Sequence, residues 1–83
     1  MFELRISSGA HKQIKKIKRK HQQAIVDALT EIKGDPNVGK PLSRELTGRF
    51  SLKVGMYRII YKVDKRDKIV TVLTAGHRAT VYK

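Results

Sequence analysis

Arg58 sits inside Tyr57-Arg58-Ile59-Ile60-Tyr61, with apolar and aromatic neighbours on both sides. A charge in that setting is costly unless it is paired or put to use. Arg78 follows the apolar run Ile69-Val70-Thr71-Val72-Leu73, with His77 just before it and Tyr82 four residues on. Upstream, Arg49, Ser51 and Lys53 alternate with Phe50, Leu52 and Val54. A guanidinium is a planar fork of donors that matches phosphate and carboxylate oxygens. Arg58, Arg78 and the Tyr82 hydroxyl therefore read as a shared anion site. Lys53 taken alone reads equally well as the ordinary charged protection of a sheet edge. Histidine exchanges protons most readily near neutral pH, yet beside a glycine, as His77 is, it more often serves structure.

The whole chain supports an anionic partner. It has 83 residues, with 19 Lys plus Arg against 7 Asp plus Glu, for a net charge of +12. Seven acids cannot pair nineteen bases. Excess charge of this size calls for nucleic acid, an acidic protein or an anionic membrane, and nucleic acid is favoured. The chain has no cysteine, so neither a disulfide framework nor a Cys-based zinc site is expected. The isolated His11, His21 and His77 do not suggest a metal site either, and no cofactor is expected. No apolar run approaches the ~18 residues of a membrane span, and the start MFELRISS lacks the apolar stretch of a signal peptide. The expectation is one cytoplasmic domain over residues 1–83 that does not enter a membrane.

The elements that must position these residues follow from periodicity. Phe2 to Ile6 alternates as a half-buried strand, and Ser7 or Ser8 is placed to cap a helix. Ala10, Ile14 and Ile17 form one helical stripe; Ala24, Ile25, Ala28, Leu29 and Ile32 form a second. A break between them is expected near Lys20-His21. Gly34-Asp35-Pro36-Asn37 ends the second helix, with Gly34 as its cap. Residues 37–43 read as a loop. Period two returns at 49–54, Gly55 marks a turn, 56–63 forms the next strand, and 64–67 is a hairpin loop. Residues 68–75 then make a central strand ended by Gly76. The fold class is α+β: an N-terminal strand, a two-helix hairpin and a three-stranded antiparallel meander, forming one twisted sheet with helices on one face. The apolar set of 49–54 faces the helices, which leaves Arg49, Ser51 and Lys53 on the uncovered side.

A separate cluster, Lys12, Lys15, Lys16, Lys18, Arg19 and Lys20, puts six cations among the ten positions 11–20 with no acid. It reads either as a solvated helix face or as a phosphate-facing patch without sequence preference. Its apolar side offers only Ala and Ile, which argues against a membrane-surface helix.

Residues 46–63 (LTGRFSLKVGMYRIIYKV), then 72–78 (VLTAGHR) and the closing Val81-Tyr82, resemble the RelE branch of the RelE/ParE toxin superfamily. The resemblance spans essentially the whole chain. It implies the toxin half of a type II toxin–antitoxin pair, a ribosome-dependent endoribonuclease that cuts mRNA in the A site. It also implies a RelB-like antitoxin partner, beside the ribosome and mRNA. By the same resemblance Arg58 takes the place of the strand arginine that stabilises the scissile phosphate. Arg78 matches the C-terminal arginine acting on the leaving oxygen, and Tyr82 the terminal tyrosine that stacks on or orients the substrate. The upstream basic positions fall at Arg49, Ser51 and Lys53. Well-studied bacterial members carry lysines where this chain has Arg49 and Ser51. Lys53 thus becomes the lysine that acts as, or assists, the general base. Arg44, Ser51 and His77 are the expected RNA-contacting residues.

RNA is cut without a metal when its own 2′-hydroxyl attacks the adjacent phosphorus. The protein must then remove a proton, stabilise added negative charge and help the 5′-oxygen depart. Lysine serves as a base only where its surroundings disfavour the protonated form, as neighbouring cations do. Glu45 is a further carboxylate that some relatives would use, but it precedes the strand. Three other readings stand beside this one: a ParE-like poison of DNA gyrase, a non-catalytic RNA- or ribosome-binding module, and a degenerate toxin that keeps its antitoxin but not its activity.

Overall fold

Alternation in Glu3–Ile6 makes strand β1, after which Ser7 turns the chain into helix α1, Ser8–Lys15. Ser7 Oγ accepts from the Ala10 amide at 3.1 Å, closing the first turn, and donates to the Leu73 carbonyl at 3.1 Å. One hydroxyl thereby fixes both the helix start and its seat on the sheet. Helix α2 (Arg19–Gly34) follows, then a 3₁₀ turn (Pro36–Val38) and strands β2 (Lys40–Pro41), β3 (Arg49–Val54), β4 (Tyr57–Asp64) and β5 (Ile69–His77). This computed structural model describes residues 2–42 and 48–77.

The break between the helices falls at residues 16–18, not near Lys20-His21 as the sequence suggested. A straight helix over residues 8–34 would run about 40 Å, longer than the 35 Å long axis of the molecule. Ending α1 early turns Ile17 into the core, and the Gln22 side-chain amide donates to the Ile14 carbonyl at 3.0 Å across the joint. The far end of α2 also differs from expectation. Gly34 is the last helical residue, and the cap is Asp35 in extended conformation (φ −149°, ψ 94°). Pro36 disfavours helical geometry in the residue before it, so proline stops this helix without a left-handed glycine.

The sheet order is β1-β5-β4-β3-β2. Strands β2 to β5 pair antiparallel, and β1 lies parallel to β5 at the edge. The α+β class and the meander match expectation. The added strand is β2, whose two residues were expected to be loop because a proline inside so short a segment hides it. The β3–β4 hairpin turns on Gly55 at φ +59°, the glycine-first pattern of a II′ turn. The β4–β5 turn holds Lys68 at φ +54°.

Helices cover one face of the sheet. Ala10, Ile17, Ile25, Leu29 and Ile32 meet Ile59, Tyr61, Val70, Val72 and Ala75, with Phe50, Leu52 and Val54 packed against them. Tyr61 is fully buried and stacks on Phe50 with centroids 5.5 Å apart. Its hydroxyl donates to the Pro36 carbonyl at 2.7 Å and accepts from the Gly39 amide at 3.0 Å. That clasp ties the turn after α2 to the sheet and so sets β2 beside β3.

Candidate functional site

On the uncovered face the strand registers fix which side chains stand together. Residues opposite one another in an antiparallel pair share a face. Lys53 of β3 is opposite Arg58 of β4, Ser51 opposite Ile60, and Arg49 opposite Lys62. At the edge, Lys40 of β2 is opposite Ser51. Across β4 on the other side, Arg58 faces Gly76 of β5, a residue with no side chain to crowd the guanidinium. Arg58 is half-buried and its Nε is shielded from solvent. Its Nη1 donates to Ser51 Oγ at 3.3 Å, and Ser51 itself is only 6% exposed. Lys53, Arg49, Lys62 and Lys40 are exposed around this centre.

Like charges directly across a strand pair oppose one another, so the Lys53–Arg58 pairing works against the fold. Among the described residues, the carboxylates placed on this face, Glu3 and Asp64, lie at its margins. Glu3 is engaged by Arg5 at 2.5 Å, and Asp64 accepts from the Asp67 amide at 3.0 Å. The result is a cationic floor built around a half-buried arginine, suited to an anion that meets several donors at once.

Arg49, Ser51 and Lys53 share the uncovered face as the alternation predicted, and the register adds Arg58 of β4 to them. His77 is not among them. It is opposite Tyr57, whose ring packs on the helix-side core, and the His77 and Tyr57 rings meet edge-on at 6.0 Å. The His21 ring also meets Tyr57, with centroids 5.5 Å apart. The strand also continues through Gly76 instead of ending there, and one register step separates the face of His77 from that of Arg58. Arg44, Arg78 and Tyr82 lie outside the described residues, as does Glu45.

How β5 keeps its register is visible in a bulge. Tyr61 pairs with Val72 and Ile60 with Thr74, leaving Leu73 as the extra residue. Gln13 of α1 secures it: its Oε1 accepts from Thr74 Oγ1 at 2.9 Å and from the Ala75 amide at 3.0 Å. The bulge keeps Val70, Val72 and Ala75 all inward while bringing Gly76 level with Arg58. Two cations of the face, Lys40 and Lys62, escaped sequence reasoning. Lys62 was accessible by continuing the alternation from Arg58; Lys40 was not, since nothing in a two-residue strand announces its pairing.

A family model for the ParE toxin of the type II toxin–antitoxin system, parDE, matches residues 4–82. The chain belongs to the RelE/ParE toxin family. Toxin RelG of Mycobacterium tuberculosis is similar to this toxin, with 34% identity over 84 residues covering 99% of this chain and 97% of RelG. The RelBE2 toxin–antitoxin complex of the same organism contains a chain 33% identical, with a TM-score of 0.84 over 93% of this toxin and 98% of that chain. Isolated RelE of Escherichia coli shares the toxin's fold at 22% identity, with a TM-score of 0.82 over 99% of this chain and 92% of that one. Among the described residues no helix is long and apolar enough to cross a membrane.

Proposed function

We propose that this toxin cuts messenger RNA in the ribosomal A site and that a RelB-like antitoxin holds it inactive until then. The observation that carries the reading is the half-buried Arg58, set among Ser51, Lys53 and Arg49 on a face where the carboxylates among the described residues stand at the margins. In the proposed reaction the 2′-hydroxyl loses its proton and its oxygen bonds to phosphorus. The bond from phosphorus to the 5′-oxygen breaks, and that oxygen takes up a proton. The products are a 2′,3′-cyclic phosphate and a free 5′-hydroxyl. Arg58 stabilises the charge that builds on the phosphate oxygens, and Lys53 accepts or helps to accept the 2′ proton. Arg78 stabilises the leaving oxygen and Tyr82 orients the nucleotide. Arg49, Arg44 and Ser51 hold the strand. His77, turned to the other face, takes no part in the proton transfer.

This set contains weak acids and weak bases, so free RNA is cut slowly, and positioning on the ribosome supplies much of the rate. A second reading, inhibition of DNA gyrase, draws on the ParE name of the matching family model. Single-turnover cleavage of mRNA on programmed ribosomes separates the two. Arg58→Ala should lower the rate by about 10²-fold or more with the toxin still folded, and supercoiling by gyrase should be unaffected by the wild type. Equal cleavage by Arg58→Ala and wild type, or gyrase inhibition without cleavage, would overturn the reading.

A further inference from the structure

A second positive surface lies on the side of the molecule away from the Arg58 face. Lys12 and Lys15 project from α1, Lys16 and Lys18 from the joint, and Arg19 and Lys20 from the first turn of α2, all six exposed. The ion pair found among the described residues, Arg5 with Glu3, is elsewhere, so no ion pair among the described residues neutralises this ridge.

The fold gains little from these charges. Helix α2 begins with no acid in its first turn and with Lys18 as a cap that makes no side-chain hydrogen bond. Lys18, Arg19 and Lys20 therefore crowd the positive end of the helix dipole. Lys12 and Lys16, four residues apart, face each other as like charges. The chemistry of the ridge also narrows what meets it. Protein interfaces are poor in lysine at their centres and anchored by aromatic side chains or Met. Here the apolar residues of the run, Ile14 and Ile17, are turned into the core. A phosphate backbone asks only for cations at intervals.

We propose that the α1–α2 ridge binds the phosphate backbone of structured RNA without reading its sequence. The toxin is then gripped from its helix side while the open sheet face engages the strand to be cut. The assignment of that RNA to the ribosome rests on the function proposed above; the binding itself does not.

The test is the salt dependence of full-length toxin binding to a short RNA duplex and, separately, to vacant small ribosomal subunits. The ridge triple Lys18→Gln, Arg19→Gln, Lys20→Gln is compared with a control triple of equal charge change, Lys33→Gln, Lys65→Gln, Arg66→Gln, also exposed. The slope of log affinity against log salt should fall by about 2–3 in the ridge triple and by less than about 1 in the control. The thermal midpoint of the ridge triple should stay level or rise, which certifies its fold. Equal slopes in the two triples would overturn the proposal, since net charge would then explain the binding. An unchanged slope in the ridge triple would overturn it too. Weakened antitoxin binding with unchanged RNA binding would assign the ridge to an acidic protein instead. If the ridge triple behaves as expected but wild type cuts nothing on ribosomes, the ridge stands and the ribonuclease reading fails.

Discussion

Removing the Tyr61 hydroxyl tests how the sheet edge beside the site is held. Tyr61→Phe keeps the ring on Phe50 but strips partners from two buried groups, the Pro36 carbonyl at 2.7 Å and the Gly39 amide at 3.0 Å. A buried donor or acceptor left alone costs about 1–3 kcal/mol, so orphaning one of each costs about 2–6 kcal/mol. In a domain of this length about 1 kcal/mol moves the midpoint by about 4–8 °C, so the drop should be at least about 8 °C. Differential scanning calorimetry reads it directly. The pH dependence gives an independent check. Burial, with Asp35 adding to it and the Gly39 amide pulling partly back, raises the Tyr61 phenol above its ordinary value of 10.0. The folded state therefore holds this proton more tightly than the unfolded chain does. Its contribution is intact below about pH 10 and is lost as pH rises through the folded value. The stability gap between wild type and Tyr61→Phe should narrow above that point. A drop smaller than about 3 °C, or a gap that widens in alkali, would refute the clasp.

Gly39→Ala should cost at least as much, because a methyl group there collides with the Tyr61 hydroxyl; urea titration of Gly39→Ala, Tyr61→Phe and the double variant should show the double losing less than the sum of the singles. Lys53→Gln should stabilise the fold by about 0.2–1 kcal/mol by removing the charge opposite Arg58, with the gain shrinking in high salt and with cleavage impaired. Lys68→Gly should raise stability by about 0.5–1 kcal/mol in the same titration, since Lys68 sits at φ +54° where glycine is at ease.

Much of this was legible in the sequence, and the exceptions have physical causes. The alternation around Phe50, Leu52 and Val54 exposed the face of Arg49, Ser51 and Lys53 because period two leaves no other choice. The helical stripe of α2 was equally plain. Less visible were features set by long-range fit. The helix break follows from the size of the sheet beneath it, the edge strand β2 from the Tyr61 clasp, and the Leu73 bulge from Gln13. His77 was grouped with the cations by nearness in sequence, but one step along β5 carries a side chain to the other face. Gly76 resembled a terminator and instead clears space opposite Arg58.

The proposed cleavage of mRNA in the ribosomal A site by the Arg58 face is read out by primer extension on a defined message. Wild type, Arg58→Ala, Arg78→Ala and Tyr82→Phe are compared on programmed ribosomes and on free RNA. Cuts should be confined to the codon in the A site, ending in a 2′,3′-cyclic phosphate, lost in Arg58→Ala and Arg78→Ala, weakened in Tyr82→Phe and nearly absent on free RNA. Intact message under wild-type toxin that still binds the ribosome, or cuts that persist in Arg58→Ala, would contradict it.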